Sequence, residues 1–284
     1  MRKTVLIAPI GTEAQIVTTT IDLLAAKKTV VSEVTVLHSV GDPQLEAAAD
    51  VLKTELQKYP ELKYEIKPFS KNGRIIHGLD TKDEVDILFY CLYNEVRIQK
   101  NRGNRVYLLC SGGRKIIAAY AMPVAQMLFD GDDRLLYLIS KGEYLKSKIM
   151  HPSTAEDYRE ITLLEIPFLE WSAVLPSISE VRSMEDPNDA YMKIQDLRLE
   201  LKYARSSQFI EKECTRAERR VLELAAGKGM PNAQIAAQLF LTERTVETHM
   251  RSLLRKASDY FGEPELNRAR LIVYTQTYYQ MKLK

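Results

Sequence analysis

Hydrophobic residues fall into two regimes along the chain. In the first half they come in short apolar runs at residues 4–9, 34–38, 64–69, 105–110 and 135–139, the length of buried strands. Most of the stretches between, at 13–27, 44–58, 83–100 and 114–129, repeat with a helical period. Strand and helix in alternation predict a parallel sheet covered on both faces. Near the C-terminus the pattern changes to three short helical stretches separated by tight turns. Thr215 with Glu218 predicts a capping box for the first. Its residues Ala217, Val221, Leu224 and Ala225 share a face, with Leu222 at the margin, and Gly227 and Gly229 stop it. Asn232 is expected to cap the second helix, which buries Ile235 and Leu239. Thr242 is expected to cap the third, with Val246, Met250, Leu253 and Leu254 as its buried stripe.

The third helix leaves Arg244, Thr248, Arg251 and Arg255 on one outward face, at spacings of three and four. Guanidinium groups placed this way can contact phosphates or a guanine edge, and Thr248 a base or the backbone. Such a unit serves to place one helix in a DNA groove. Between the two regimes, the polar segment 175–188 with its two prolines marks a connection. The helix expected over 189–209 carries Met192, Ile194, Leu197, Leu201 and Ala204, and either pairs with a second copy or packs on the first domain. A last helix over 266–283 brings Leu271, Ile272, Tyr274, Tyr278 and Tyr279 to a core or dimer surface rather than to a base-stacking platform.

Length and composition narrow the choices. With 284 residues the chain has room for two domains, and 45% apolar content is ordinary for a globular protein. No apolar run is long enough to span a membrane, and the run after Arg2 and Lys3 ends at Pro9 and Gly11, so it reads as a first strand rather than a signal sequence. Cys91, Cys110 and Cys214 suggest neither a disulfide framework nor a zinc site; a reducing cytoplasm and no metal are expected. Net charge is only +2, but residues 207–284 carry 13 Lys+Arg against 9 Asp+Glu, which leaves the remainder at −2. The basic excess sits where a duplex would be met, and its modest size favours two copies acting together.

In a parallel sheet, ligands bind beyond the carboxyl ends of the strands, and two loops there carry chemistry. In the first, Gly11 permits close approach, and Thr12 is expected to cap the next helix with Gln15 as its reciprocal partner. In the second, Cys110-Ser111-Gly112-Gly113-Arg114-Lys115, two glycines expose N–H groups and two cations stand at a helix start. Cations there oppose the helix dipole, a local cost that points to an anionic partner.

The segment 214–257 resembles the DNA-binding domain of LuxR-type regulators. The match rests on Thr215, Glu218, Val221 and Leu222; on Asn232, Ile235, Ala236 and Leu239; and on Thr242, Glu243, Thr245, Val246 and His249. The resemblance implies that residues after the Thr245-Val246 pair, here Glu247, Thr248 and Arg251, reach bases. Glu247 stands where the family often has lysine; a carboxylate repels phosphate but accepts from a cytosine amino group.

A second resemblance covers about residues 1–175. Gly11-Thr12, Val17-Thr18, Ile21-Asp22-Leu23-Leu24, the run from Leu109 to Lys115, and the stretch 161–168 are similar to CARF domains of type III CRISPR systems, nearest the branch shared by ancillary ribonucleases and ring nucleases. Pro123 departs from that pattern and is expected to interrupt the helix after the second loop. The resemblance implies an α/β Rossmann-like CARF domain over 1–175, a linker and connecting helix over 176–210, and an all-α helix-turn-helix domain over 211–284. It also implies a homodimer binding one cyclic oligoadenylate, cyclic tetra-adenylate favoured over hexa-adenylate, in a pocket lined by Gly11, Thr12, Ser111, Gly112, Gly113, Arg114 and Lys115, with no other cofactor.

The expected function is a cyclic oligoadenylate-responsive transcription regulator whose third helix meets double-stranded DNA through Thr242, Arg244, Thr245, Glu247, Thr248, Arg251 and Arg255. The alternative is a ring nuclease that cleaves its ligand by 2′-hydroxyl attack without a metal. Thr12 or Ser111 would then position the hydroxyl, and Lys115 or Arg114 would stabilise the phosphorane. A phosphorylated receiver domain is disfavoured because the first strand ends without an acidic cluster. A second ribonuclease domain is disfavoured because the tail is the helix-turn-helix unit.

Overall fold

The computed structural model describes residues 2–141, 144, 146–170 and 179–282. The start of the expected connection, residues 175–178, and Leu283 of the last helix lie outside them. The described chain divides into two units, Met1–Tyr191 and Met192–Lys284.

The first unit is built on six strands: β1 (Thr4–Pro9), β2 (Glu33–His38), β3 (Lys63–Pro68), β6 (Arg105–Leu109), β7 (Arg134–Ser140) and β8 (Ile161–Ile166), in the order β3-β2-β1-β6-β7-β8. All neighbouring pairs are parallel except β7–β8, which is antiparallel. The all-parallel expectation thus fails at one edge. β8 follows a short helix, α5 (Ala155–Glu160), too brief to carry the chain back across the sheet for a parallel return.

Alternation along β1 fixes both faces. Leu6 and Ala8 join Val34, Val36, Leu109 and Leu136 in a core against α1 (Gln15–Ala26) and α2 (Pro43–Leu56). Val5 and Ile7 are buried on the opposite side, where α3 (Lys82–Asn101) packs on β1 and β6 and α4 (Lys115–Leu128) packs on α3 and β7. Burying both faces requires runs that are close to apolar throughout, which is how the central strands β1 and β6 read. α4 runs through Pro123 as one helix, so the expected interruption does not occur.

One element is absent from the periodicity reading. β4 (Ser70–Lys71) and β5 (Arg74–Ile75) form a small antiparallel hairpin, closed by Asn72 at φ 52° and Gly73 at φ 78°. Two consecutive positive φ values make a tight primed turn, and Asn-Gly is the pair that adopts it at least cost. Strands of two residues leave no alternation to detect. The chain then passes through α6 (Ser179–Ser183) into α7 (Pro187–Gln208), within which the unit boundary falls. On α7, Ala190, Ile194 and Leu197 are buried while Met192 and Leu201 are exposed, so the five expected residues do not share one face.

The second unit contains α8 (Arg216–Leu222), α9 (Asn232–Leu239), α10 (Glu243–Phe261) and α11 (Arg268–Lys282) around a core that includes Phe209, Val221, Leu222, Ile235, Val246, Leu253 and Leu271. A π-helical turn, Glu223–Gly227, continues α8. The buried set of α8 begins at Glu218 and includes Leu222, whereas Ala217 faces outward. The expected face holds at Val221, Leu224 and Ala225; at its start Glu218 is buried in place of Ala217, turned inward by its bonds to Thr215 N and Lys256. Tyr278 and Tyr279 of α11 are buried, as core rather than platform. No helix among the described residues is long and apolar enough to cross a membrane.

Candidate functional site

Sheet order explains why two loops far apart in sequence meet. From β1 the chain winds outward to β2 and β3, then returns to β6 on the other side of β1. The loops after β1 and β6 therefore flank the point where winding reverses, the usual ligand crevice of such sheets. A cavity of about 340 Å³ lies there, lined by Gly11, Thr12, Ser111, Gly112, Gly113 and Arg114 among others. Six of the seven expected ligand residues are thus brought together. Lys115, exposed at the first position of α4, is not in the lining.

The glycines serve packing as well as exposure of N–H groups. A Cβ on Gly112 would stand 2.0 Å from the Pro9 carbonyl oxygen and 2.6 Å from Ile16 Cδ1. Gly113 adopts φ +77°, which side-chain-bearing residues rarely accept, and its Cα is 2.8 Å from a Cβ built on Gly11. The two loops touch backbone to backbone. The Ser111 hydroxyl is buried without a hydrogen-bond partner among the described residues.

Thr12 does not cap α1. Ala14 holds the cap position in a helical conformation without a side-chain bond, and the Gln15 carboxamide donates to Glu13 Oε2 at 2.6 Å. The backbone of Thr12 is held instead by Lys148, whose Nζ reaches the Thr12 carbonyl at 3.3 Å and Glu13 Oε2 at 3.0 Å. Preceding residues are drawn across to Gly113, which leaves Thr12 on the cavity rim rather than on the helix axis.

A third wall was not foreseen. The segment after the hairpin contributes His77, Gly78 and Leu79, and the loop after β2 contributes Ser39 and Asp42. Next in the chain, Asp80 accepts a hydrogen bond from Arg114 Nη1. The expectation that a cation at this helix start awaits an anion thus meets an internal one. Glu84 anchors the segment, accepting from the N–H groups of Gly78 (3.2 Å), Asp80 (3.1 Å) and Thr81 (3.1 Å). These bonds, that from Asp80 foremost, hold the Glu84 carboxyl below its usual range. The Asn72-Gly73 turn is the sequence signal from which this wall was legible. Among the lining residues Arg114 is the one Lys or Arg side chain, and Glu13 and Asp42 are the carboxylates.

A separate titratable cluster lies away from this lining. His151 contacts Asp22 (2.8 Å) and Glu55 (3.1 Å), and Tyr59 donates to Asp22 (2.7 Å). Every member has a partner within the cluster, and together they tie the segment before α5 to α1 and α2.

In the second unit the capping box forms: Thr215 Oγ1 accepts from Glu218 N, and Glu218 Oε2 from Thr215 N. Thr242 caps α10 through Thr245 N. Asn232 does not cap α9. Its Oδ1 accepts from Arg268 Nη1 at 2.7 Å, while Arg268 Nη2 donates to the Met230 carbonyl at 2.6 Å, so the carboxamide fastens α11 to the turn. Between α9 and α10, Leu241 N bonds the Ala236 carbonyl and Phe240 N the Ala237 carbonyl, with Phe240 at φ 56° and 95% exposed. This is a Schellman ending with a phenylalanine where glycine is cheapest. On α10, Arg244, Glu247, Thr248, Arg251 and Arg255 face outward. None of the three arginines forms an ion pair among the described residues. Thr248 Oγ1 is turned to the Arg244 carbonyl at 2.9 Å, and Thr245 is half-buried against Thr242.

The family model described as CRISPR-associated protein NE0113 matches residues 13–198, more than half of the chain. The model of the luxR family of bacterial regulatory proteins matches residues 213–257. No curated protein matches. Among solved structures, Enterococcus italicus Csm6 bound to cyclic hexa-2'-fluoro-hexa-dAMP is similar at a TM-score of 0.38 and 10% identity, over 100% of this chain and 77% of that one. At that level the likeness carries no functional weight.

Proposed function

We propose that this chain, which belongs to the CRISPR-associated protein NE0113 family, is a regulator whose first unit binds cyclic oligoadenylate and whose LuxR-type second unit binds double-stranded DNA. The observation that carries the reading is the cavity at the sheet's switch point. There two glycine-bearing loops, the buried Ser111 hydroxyl and Arg114 converge. Backbone N–H groups and a guanidinium suit phosphates. A homodimer would double this donor set around a symmetric ring and pair the two α10 helices for major grooves about 34 Å apart. Ring binding then acts by favouring one arrangement of the paired DNA-binding units, and only to the extent that its affinity for the two arrangements differs. The α10 arginines, free of ion pairs among the described residues, are available to phosphates and guanine edges. Cleavage of the ring is the weaker reading, because Lys115 stands outside the lining and only Arg114 remains there to stabilise a phosphorane.

The test is DNA binding to genomic fragments with and without cyclic tetra- and hexa-adenylate, following the ligand by chromatography in the same samples. The reading expects a ligand-dependent change in DNA affinity with the ring intact. Linear products bearing a 2′,3′-cyclic phosphate would establish the nuclease instead. Arg251→Ala should weaken DNA binding by about 1–3 kcal/mol and leave ring binding unchanged. Unaltered DNA affinity in that variant would remove α10 from the interface.

A further inference from the structure

The cavity holds more carboxylate than cation. Glu13 and Asp42 line it, and Asp80 stands beside it on Arg114. Two of these are occupied elsewhere: Glu13 by Lys148 at 3.0 Å, and Asp42 by Gln44 N at 2.9 Å, which it caps. Asp80 is different, because its partner is the one guanidinium in the lining. Its backbone is set by Glu84, which gathers the N–H groups of Gly78, Asp80 and Thr81 and so holds the segment that carries Asp80 beside Arg114. Carboxylate and phosphate oxygens address a guanidinium with the same fork geometry.

We propose that Asp80 is an internal phosphate surrogate, a latch on Arg114 that any phosphate ligand of the cavity must displace, and that it thereby sets the ligand concentration at which the sensor responds. The proposal rests on the reading of the cavity as an anion site. The two side chains are 69% and 57% exposed, so the pair is an exchangeable one. Ion pairs in water hold their partners by no more than about fivefold. A ligand phosphate in the cavity has the Ser111–Gly113 loop to add to the guanidinium, which the aspartate lacks, and so wins the exchange. Because the same pair must open for every phosphate, the latch lowers all their affinities by one factor.

The experiment is calorimetry of the full-length protein with two probes, inorganic pyrophosphate and cyclic tetra-adenylate, on wild type, Asp80→Asn, Arg114→Ala and the double variant. Asp80→Asn is expected to tighten both probes by about three- to fivefold; a change under twofold, or a weakening, overturns the latch. In the Arg114→Ala background the same substitution should have no effect. An equal gain there means that Asp80 only repels anions through space, which also overturns it. A readout without ligand is the side-chain N–H resonance of Arg114, expected to move towards solvent values in Asp80→Asn; an unmoved resonance counts against the ion pair. If pyrophosphate shows the Asp80 effect while cyclic tetra-adenylate binds no variant, the nucleotide reading fails and the latch stands. If neither probe binds any variant, both fall. Since both side chains are largely exposed, melting temperatures close to wild type should accompany each result.

Discussion

Among single residues, Glu218 shows how burial and pairing compete. Its side chain lies within the core of the second unit, 2.8 Å from Lys256 Nζ and bonded to the Thr215 N–H. Burial pushes its pKa up, but the Lys256 and Thr215 hydrogen bonds outweigh that and hold it down to about 2. A carboxyl whose folded pKa lies below its ordinary value adds stability above that ordinary value, and loses it as the pH falls towards the folded one. The window here runs from about 4.5 down to about 2. Glu218→Gln should therefore destabilise the second unit at neutral pH by about 1–3 kcal/mol. The gap from wild type should narrow as urea melts are taken from pH 7 to pH 3, and a gap that stays constant would mean the carboxylate charge is not what stabilises. Sequence reading foresaw the Thr215–Glu218 box but not Lys256, 38 residues away. A capping box is written within four residues, whereas a cross-helix partner is not.

At the scale of elements, the turn before α10 carries a conformational cost. Phe240 is held left-handed and almost wholly exposed, so nothing in its side-chain packing offsets the strain. Phe240→Gly is expected to raise the stability of the second unit by about 0.5–1 kcal/mol, read as an upward shift in its melting transition. A lower melting point would show that the phenyl ring is packed in solution. Asn232 is held by a competing partner rather than by the helix end. Its position suits a cap, but a carboxamide beside Arg268 has a stronger, charged donor, and Pro231 takes the cap position instead. Likewise Glu218, drawn inward to Thr215 N and Lys256, takes the place on the buried face that periodicity gave to Ala217.

For the whole molecule, the proposed function requires thermodynamic coupling between the two units. If ring binding alters DNA affinity by some factor, DNA must alter ring affinity by that same factor. Measuring ring affinity with and without a saturating DNA duplex, beside DNA affinity with and without ring, should give two equal ratios. Unequal ratios would mean that the ring is consumed or that one of the titrations reports a different species. Coupling can be present only if both units are loaded in one assembly, so these titrations also report whether the two activities belong to one molecule.

Much of the fold is legible in the chain itself. Alternating apolar runs and helical stretches pointed to a doubly covered sheet, parallel in all but its β7–β8 edge, and the Thr215 and Thr242 caps with the Val246–Met250–Leu253 stripe pointed to a helix-turn-helix unit. These signals are local: strand period, helix period and caps are all written within a few residues. Tertiary structure alone decided which loops meet. The order of the sheet laid Gly11 against Gly113, left Lys115 outside, brought the segment after the hairpin to the cavity wall, and set Asp80 on Arg114 across 34 residues of sequence. Contacts of that kind depend on where the winding of the chain reverses, a property of how the elements pack together and of no single segment.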